Sequence, residues 1–154
     1  MNISSDYLRL NVGFIIHETA GYFRDFPFEV DSIRLSEDLE LRQLIGTVRV
    51  TRAAQGLLVQ VKMKAAVSAE CVRCLEMFDQ PLLVDYSDLY AFNPNSLTES
   101  GLRVPDTGKI DLAPILREEM ILAIPISPVC EPNCKGLCLV CGENLNFKEC
   151  EHTG

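Results

Sequence analysis

The chain has 154 residues, of which 47% are hydrophobic, and its formal net charge is −8. This length is typical of one domain, and the apolar content suffices for an ordinary hydrophobic core. No apolar run approaches the roughly 18 residues that a membrane span requires, which argues against a membrane-spanning helix. The acidic balance also argues against a protein that coats itself on phosphate.

The first clear strand pattern lies between Phe23 and Val30, where every second residue from Phe26 onward is apolar. Pro27 inside this pattern indicates an edge strand, because proline cannot donate a backbone hydrogen bond to a neighbour. Residues 31–38 have the polar composition of a connection.

Residues 39–69 alternate between apolar and polar side chains on both sides of a glycine-bearing turn, which predicts a β-hairpin. The valines of both arms are expected to face inward. Arg49, Lys62 and Lys64 then share one solvated face. These three cations are either an ordinary charged exterior or a contact for RNA or for an acidic partner.

The second half of the chain predicts one more strand and one main helix. A strand is expected from Leu82 to Phe92, followed by a loop over residues 93–109. The helix is expected at about residues 111–123, with the Asp111 side chain capping its first turn. Helical spacing predicts a buried stripe of Leu112, Ile115, Leu116 and Met120.

Together these elements predict an α+β chain, with a mostly antiparallel β-sheet or partly open barrel and one main helix. Residues 1–129 are expected to form a β-rich body, and residues 130–154 a cysteine-rich, metal-binding tail docked on it within a single domain overall. The tail has too few apolar residues for its own core, so metal binding is expected to replace that core.

The seven cysteines and a late histidine fall into pairs that suit Zn²⁺, which takes four ligands tetrahedrally and favours thiolate and imidazole. Each Cys-x-x-Cys pair is a knuckle that supplies half of a site, and Gly142 lets the second knuckle turn tightly. The donors therefore predict one or two structural zinc ions. The candidate ligands are Cys71, Cys74, Cys130, Cys134, Cys138, Cys141, Cys150 and His152.

Two groupings of these ligands are open. The preferred grouping joins Cys71 and Cys74 to Cys130 and Cys134, and it joins Cys138 and Cys141 to Cys150 and His152. The rival grouping combines Cys130, Cys134, Cys138 and Cys141, which leaves a separate dithiol at Cys71 and Cys74 and a spare Cys150. His152 is the weakest candidate because a histidine near a chain end is often a free surface residue.

Other uses of the cysteines are less favoured. The odd count, and an N-terminal stretch without the basic start or apolar run of a secretory signal, predict a cytoplasmic chain with reduced thiols. Cys134-x-x-x-Cys138-x-x-Cys141 has the spacing of a radical iron–sulfur enzyme, but that motif belongs early in a far larger barrel. A redox dithiol at Cys71 and Cys74 lacks a surrounding strand–helix repeat.

The order of three segments is distinctive: E-C-V-R-C-L (70–75), I-D-L-A-P-I-L-R-E-E-M-I-L-A-I-P (110–125) and C-x3-C-K-G-L-C-x2-C-G-x-N-L-N (130–146). With L-N-V-G-F (10–14) and V-R-V-T-R-A-A-Q-G-L-L-V (48–59), this order resembles the YceD family of large ribosomal RNA accumulation proteins. The resemblance implies a cytoplasmic, non-enzymatic factor needed for accumulation of large-subunit ribosomal RNA. It also implies a mostly β core with metal-type cysteines near its end. Many relatives close the tail with Cys-x-Cys, whereas this chain has Cys150-Glu151-His152.

The predicted function is therefore a ribosome-biogenesis factor with structural zinc. Its partner is expected to be large-subunit ribosomal RNA or a ribosomal or assembly protein, with no membrane and no small-molecule substrate. The alternative is a zinc-stabilised protein-interaction module of another pathway, such as transcription. An enzyme is least favoured, because closed thiolate sites leave no position for a reacting water and no catalytic residue set stands out in the sequence.

Overall fold

The structure is a computed structural model that describes residues 5–93, 101–147 and 151. The strands are β1 (Arg9–Asn11), β2 (Phe23–Ser36), β3 (Leu39–Arg52), β4 (Gly56–Glu70), β5 (Met77–Ala91) and β6 (Lys109–Asp111). The helices are α1 (Gly13–Ile16) and α2 (Ala113–Ala123), and a 3-10 turn covers Ser5–Leu8. The four long strands form an antiparallel meander in the order β2-β3-β4-β5, and β1 pairs with β6.

The predicted hairpin is confirmed as β3 and β4. Val48 lies opposite Val61, and Val50 lies opposite Val59. All four valines are buried. Cross-strand apolar pairs of this kind stabilise the sheet. Because the other face of the sheet is solvated, apolar and polar residues alternate, and this alternation predicted the hairpin.

The prediction of a connection over residues 31–38 is wrong, because β2 continues to Ser36. Along the chain, the buried positions change from even to odd numbers in β2 and from odd to even numbers in β3, and Ile33 packs inside opposite Leu41. Gln43 lies at this change in β3 with a left-handed φ of 53°. The alternation of apolar residues that starts at Phe26 does not continue past this change. The second half of β2 therefore has the sequence pattern of a polar connection.

The strand predicted from Leu82 begins earlier, at Met77, where it pairs with Glu70 at the end of β4. The predicted loop ends at Lys109, the first residue of β6. Within the loop, Arg103 makes an isolated bridge to Ala91. Residues 94–100 of this prediction lie outside the described part of the chain.

The predicted helix is confirmed as α2, although it begins at Ala113 and not at Asp111. The Asp111 carboxylate nevertheless accepts a hydrogen bond from the Ala113 backbone N–H at 3.0 Å, so it contacts the first turn. Leu116 and Met120 are fully buried, and Ile115 is partly buried.

One face of the meander is covered, and its other face is open. The N-terminal segment and α2 pack on the covered face, which together with the sheet valines forms the main core. Among the described residues β2 and β5 do not pair with each other, so the sheet does not close into a barrel. None of the helices in the described ranges is long and apolar enough to cross a membrane.

Candidate metal centre

The first cysteine pair lies in the turn between β4 and β5. The Cys71 N–H donates to the carbonyl of Glu76, and the Leu75 N–H donates to the carbonyl of Cys71, both at 2.9 Å. Leu75 has a left-handed φ of 62°. The turn therefore folds back on itself within six residues and presents both sulfurs on one side of the sheet end.

The second Cys-x-x-Cys pair has the same backbone arrangement. The Gly142 N–H donates to the carbonyl of Cys138 at 3.0 Å, and Gly142 has a φ of 78°. The Val140 N–H also approaches the Cys138 sulfur at 3.4 Å. In both turns, a bond from the fifth residue to the first and a left-handed fifth residue close the loop.

Four sulfurs meet where the tail reaches the β4–β5 turn. The Sγ atoms of Cys71, Cys74, Cys130 and Cys134 all lie within 4.8 Å of one another. The distance from Cys71 Sγ to Cys134 Sγ is 3.6 Å, and that from Cys74 Sγ to Cys130 Sγ is 3.8 Å. Sulfurs bound at about 2.3 Å to tetrahedral zinc are about 3.8 Å apart, so the donor set fits one such ion.

Most of the cysteine cluster is shielded from water. Cys71, Cys74 and Cys134 are buried in a small apolar cluster that is separate from the main core. The side chains that pack against it are Phe78, Val129 and Leu137. Cys130 is half-buried, so three of the four donor residues are buried, which favours a structural ion.

Arg73 attaches the tail to the body beside the cluster. Its carbonyl accepts a hydrogen bond from the Leu137 N–H at 3.1 Å. Its guanidinium Nη1 donates to the carbonyls of Pro132 and Cys134 at 3.3 Å and 3.1 Å. These contacts hold the loop that carries Cys134 against the turn that carries Cys71.

Asn146 provides an outer contact to the cluster. Its Nδ2 donates to the Cys134 sulfur at 3.2 Å, and its Oδ1 accepts from the Lys135 N–H at 2.8 Å. A second asparagine fixes it, because the Asn146 N–H donates to Asn144 Oδ1 at 3.0 Å. Such second contacts orient metal ligands.

The thiols of the cluster have shifted pKa values. Burial opposes ionisation of Cys71, but the N–H groups of Cys74, Cys130 and Arg73 stabilise its thiolate and lower its pKa to about 6. Burial and the sulfurs of Cys134 and Cys74 raise the pKa of Cys130 to about 12. The Glu76 N–H lowers the pKa of Cys74, but burial and the Cys71 sulfur raise it more, so its net shift is upward.

The other candidate ligands are placed as follows. Cys138 is buried, and Cys141 is exposed. Cys150 and His152 lie outside the described residues. Within the described ranges the four-cysteine cluster is the only group of three or more potential ligands, and it joins Cys130 and Cys134 to Cys71 and Cys74. The rival grouping of Cys130 and Cys134 with Cys138 and Cys141 does not form there.

The three predicted surface cations lie exposed on the open face of the sheet. Arg49 already has partners on β2, because its Nε and Nη2 donate to the Asp25 carboxylate at 2.7 Å and 3.1 Å. Its guanidinium also lies 4.3 Å from the centre of the Phe23 ring. The hydrogen bond from Arg49 lowers the pKa of Asp25.

Lys62 and Lys64 differ in their cross-strand neighbours. Lys62 lies opposite Thr47 on β3 and Asp85 on β5. Lys64 lies opposite Ile45 and Leu83, so its ammonium group borders an apolar part of the same face. The open face therefore combines cations along β3 and β4 with acids on its two outer strands.

Sequence reasoning did not identify Asn146, Arg73 or Asp25 as parts of these sites. Asn146 had a local signal, because asparagine side chains readily bond nearby backbone groups in tight turns. Asp25 had none, because its contact with Arg49 depends on the register between β2 and β3.

The fold and the site define a class: an open antiparallel β-meander whose last hairpin and C-terminal tail share a four-thiolate cluster suited to a metal ion. The chain belongs to the YceD family, because the family model described as large ribosomal RNA subunit accumulation protein YceD matches residues 59–154. The matched range contains the whole cysteine cluster.

Individual relatives agree with this assignment. An uncharacterized protein of Mycobacterium tuberculosis (strain ATCC 25618 / H37Rv) is 34% identical over 103 residues, which cover 64% of this chain and 49% of that protein. The Zea mays protein named large ribosomal RNA subunit accumulation protein YCED homolog 1, chloroplastic, is 29% identical over 134 residues, which cover 67% of this chain and 46% of that protein. The chain thus spans about half the length of these curated relatives. No solved structure shows a significant match.

Proposed function

We propose that this chain is a non-enzymatic, cytoplasmic ribosome-biogenesis factor that supports the accumulation of large-subunit ribosomal RNA. The observation that carries this proposal is the family match over residues 59–154. The name of the Zea mays relative supports the same role. The partner is large-subunit ribosomal RNA or a protein that assembles with it.

The second part of the proposal is a structural zinc ion held by Cys71, Cys74, Cys130 and Cys134. The sulfur distances, the burial of the cluster and the contact from Asn146 support it. A four-thiolate site is closed to water, which supports a structural role. The ion would join the body (1–129) and the tail (130–154) into one folding unit. A second ion at Cys138, Cys141, Cys150 and His152 completes the proposal.

The third part is a contact surface on the open face of the sheet. Lys62 and Lys64 are exposed on neighbouring outward positions of β4, and Arg49 is held beside them by Asp25. In a chain of net charge −8, this face offers cations for RNA phosphates or for an acidic partner.

The test is sedimentation of the tagged protein from a growing-cell lysate through a sucrose gradient. The proposal predicts migration with particles lighter than the mature large subunit, and loss of that peak in Lys62→Glu/Lys64→Glu. The matched control is Arg103→Glu/Lys109→Glu, which makes the same charge change on exposed residues outside the meander and should keep the peak.

Salt separates the two kinds of contact. Loss of the particle peak at moderate salt indicates phosphate contacts, because counterion release makes such binding strongly salt-dependent. Retention indicates a protein partner. A protein that stays at the top of the gradient at both salt concentrations would contradict the assembly role and favour an interaction module of another pathway.

A further inference from the structure

A groove of about 520 Å³ lies directly beside the cysteine cluster, which borders it through Cys74 and Cys130. Glu76, which precedes β5, and Met77, the first residue of β5, form one part of its wall, and Phe147 of the tail forms another. The groove is therefore built from both the body and the tail, and it exists only while the tail is docked.

The groove has an acidic lining. Glu76 and Glu131 line it, and no Lys or Arg is among its described lining residues. If the cluster holds zinc, four thiolates around the divalent ion add a formal charge of about −2 at its edge. Both sources repel phosphate and attract ammonium or guanidinium groups.

The groove also has an apolar part that is open to solvent. Met77 is 63% exposed and Phe147 is 82% exposed, although both are large apolar side chains. Exposed apolar side chains that share one groove and have a polar rim are typical of a protein contact. They favour a ligand that carries an apolar side chain next to its positive charges.

Asn144 adds a hydrogen-bond donor without a partner. Its Nδ2 is buried and lacks a hydrogen-bond partner among the described residues, and the residue lines the groove. An amide donor left unpaired in this way is costly unless a ligand or water accepts from it.

We propose that this groove binds a cationic polypeptide segment of a basic protein, with Lys or Arg side chains at Glu76 and Glu131 and an apolar side chain between Met77 and Phe147. This inference rests on the proposed function and names the class of protein partner. The acidic lining disfavours RNA in the groove, so RNA contacts belong to the open face of the sheet.

The test uses the zinc-loaded full chain and a fluorescein-labelled peptide of 3 Lys-Leu-Arg-Ser repeats, followed by fluorescence anisotropy. Glu76→Lys/Glu131→Lys should weaken binding by at least about tenfold, because it replaces two attractive contacts by repulsion. The matched control is Glu18→Lys/Glu37→Lys, which changes the net charge equally on exposed residues away from the groove. It should weaken binding less than about threefold.

Equal losses in the two double variants would overturn the proposal, because they would mean that only net charge matters. Zinc content and thermal unfolding check that each variant is folded. If Glu76→Lys/Glu131→Lys loses zinc, the neutral Glu76→Gln/Glu131→Gln replaces it and should still weaken binding more than a matched Glu18→Gln/Glu37→Gln.

The apolar part has its own test. Met77→Ser/Phe147→Ser should weaken binding of the leucine-containing peptide but leave a peptide with serine in place of leucine unaffected. Equal effects on the two peptides would overturn the assignment of an apolar subsite. Direct binding of a fluorescein-labelled single-stranded RNA of about 12 nucleotides to the chain, with loss of that binding in Met77→Ser/Phe147→Ser, would show a nucleic-acid site in the groove and overturn the proposal.

The gradient experiment separates this inference from the proposed function. If the peptide binds through Glu76 and Glu131 but the wild-type chain never migrates with precursor particles, the proposed peptide site is supported and the assembly role is contradicted. If the chain migrates with particles but the peptide binds Glu76→Lys/Glu131→Lys and Glu18→Lys/Glu37→Lys equally, the assembly role is supported and the proposed peptide site is contradicted.

Discussion

At the scale of single residues, Asn146 has the clearest effect on the proposed metal centre. Replacing Asn146 by Ala removes the donor to Cys134 Sγ and the acceptor of the Lys135 N–H. Loss of such an outer contact lowers metal affinity by about 10- to 100-fold. Competition with a chromophoric chelator measures this affinity.

The control for this prediction is Asn133→Ala, because Asn133 lies next to Cys134 but has an exposed side chain. It should keep the zinc affinity of the wild-type chain. If Asn146→Ala and Asn133→Ala bind zinc equally well, the contact to Cys134 has no part in holding the metal.

The thiol pKa values predict a proton release on metal binding. The raised pKa values of Cys74 and Cys130 keep both thiols protonated at pH 7 in the absence of metal. Both must ionise to bind zinc, so binding releases at least about two protons and strengthens as pH rises. Cys71, with a pKa of about 6, adds a further proton only as pH falls through that value.

Isothermal titration of zinc into the metal-free chain, in two buffers of different ionisation enthalpy, counts these protons. A release clearly below two protons at pH 7 would mean that Cys74 and Cys130 do not both become thiolate ligands. Metal removal should correspondingly become easier in acid, since the released protons then return to the sulfurs.

At the scale of elements, the position of α2 on the sheet depends on its buried stripe. Leu116 is fully buried in the main core, whereas Leu122 of the same helix is 79% exposed. Leu116→Ala should lower the free energy of unfolding of the body by about 2–5 kcal/mol. Leu122→Ala should change it by less than about 0.5 kcal/mol.

Chemical denaturation followed by circular dichroism measures both variants against the wild-type chain. Similar effects of the two substitutions would mean that α2 does not pack on the sheet through Leu116. The pair is informative because both substitutions remove the same atoms from the same helix.

The elements that could be predicted from the sequence are those in which one face is buried without interruption. The hairpin of β3 and β4 could be predicted because apolar and polar residues alternate along both strands. The predicted β2 ended too early, at Val30, because the buried positions change beyond that residue. The cysteine pairs could be read from spacing, but spacing left two groupings open, because which pairs meet depends on where the tail docks. The contact of Arg49 with Asp25 could not, because register between distant strands leaves no local signal.

At the scale of the whole molecule, two separate apolar clusters predict two responses to metal loss. The main core lies between the sheet and α2, and the small cluster lies around the cysteines. Because structural zinc contributes on the order of 10 kcal/mol in small modules, a chelator should disorder the tail first. The meander should keep its core.

Hydrogen exchange with mass spectrometry tests this response. After chelation, exchange should rise in residues 71–76 and 130–147, while β3 and β4 stay protected. Unchanged protection of the tail would contradict the role of metal in its docking. Loss of protection throughout the chain would contradict the independence of the main core.

The proposed metal centre shares one ion between the body and the tail. Native mass spectrometry of the wild-type chain, Cys71→Ser, Cys134→Ser and the double variant tests it most directly. Each single variant should lose about one zinc ion per chain, and the double variant should lose no more than either. A zinc content unchanged by Cys71→Ser, or a loss of two ions in the double variant, would contradict a shared site.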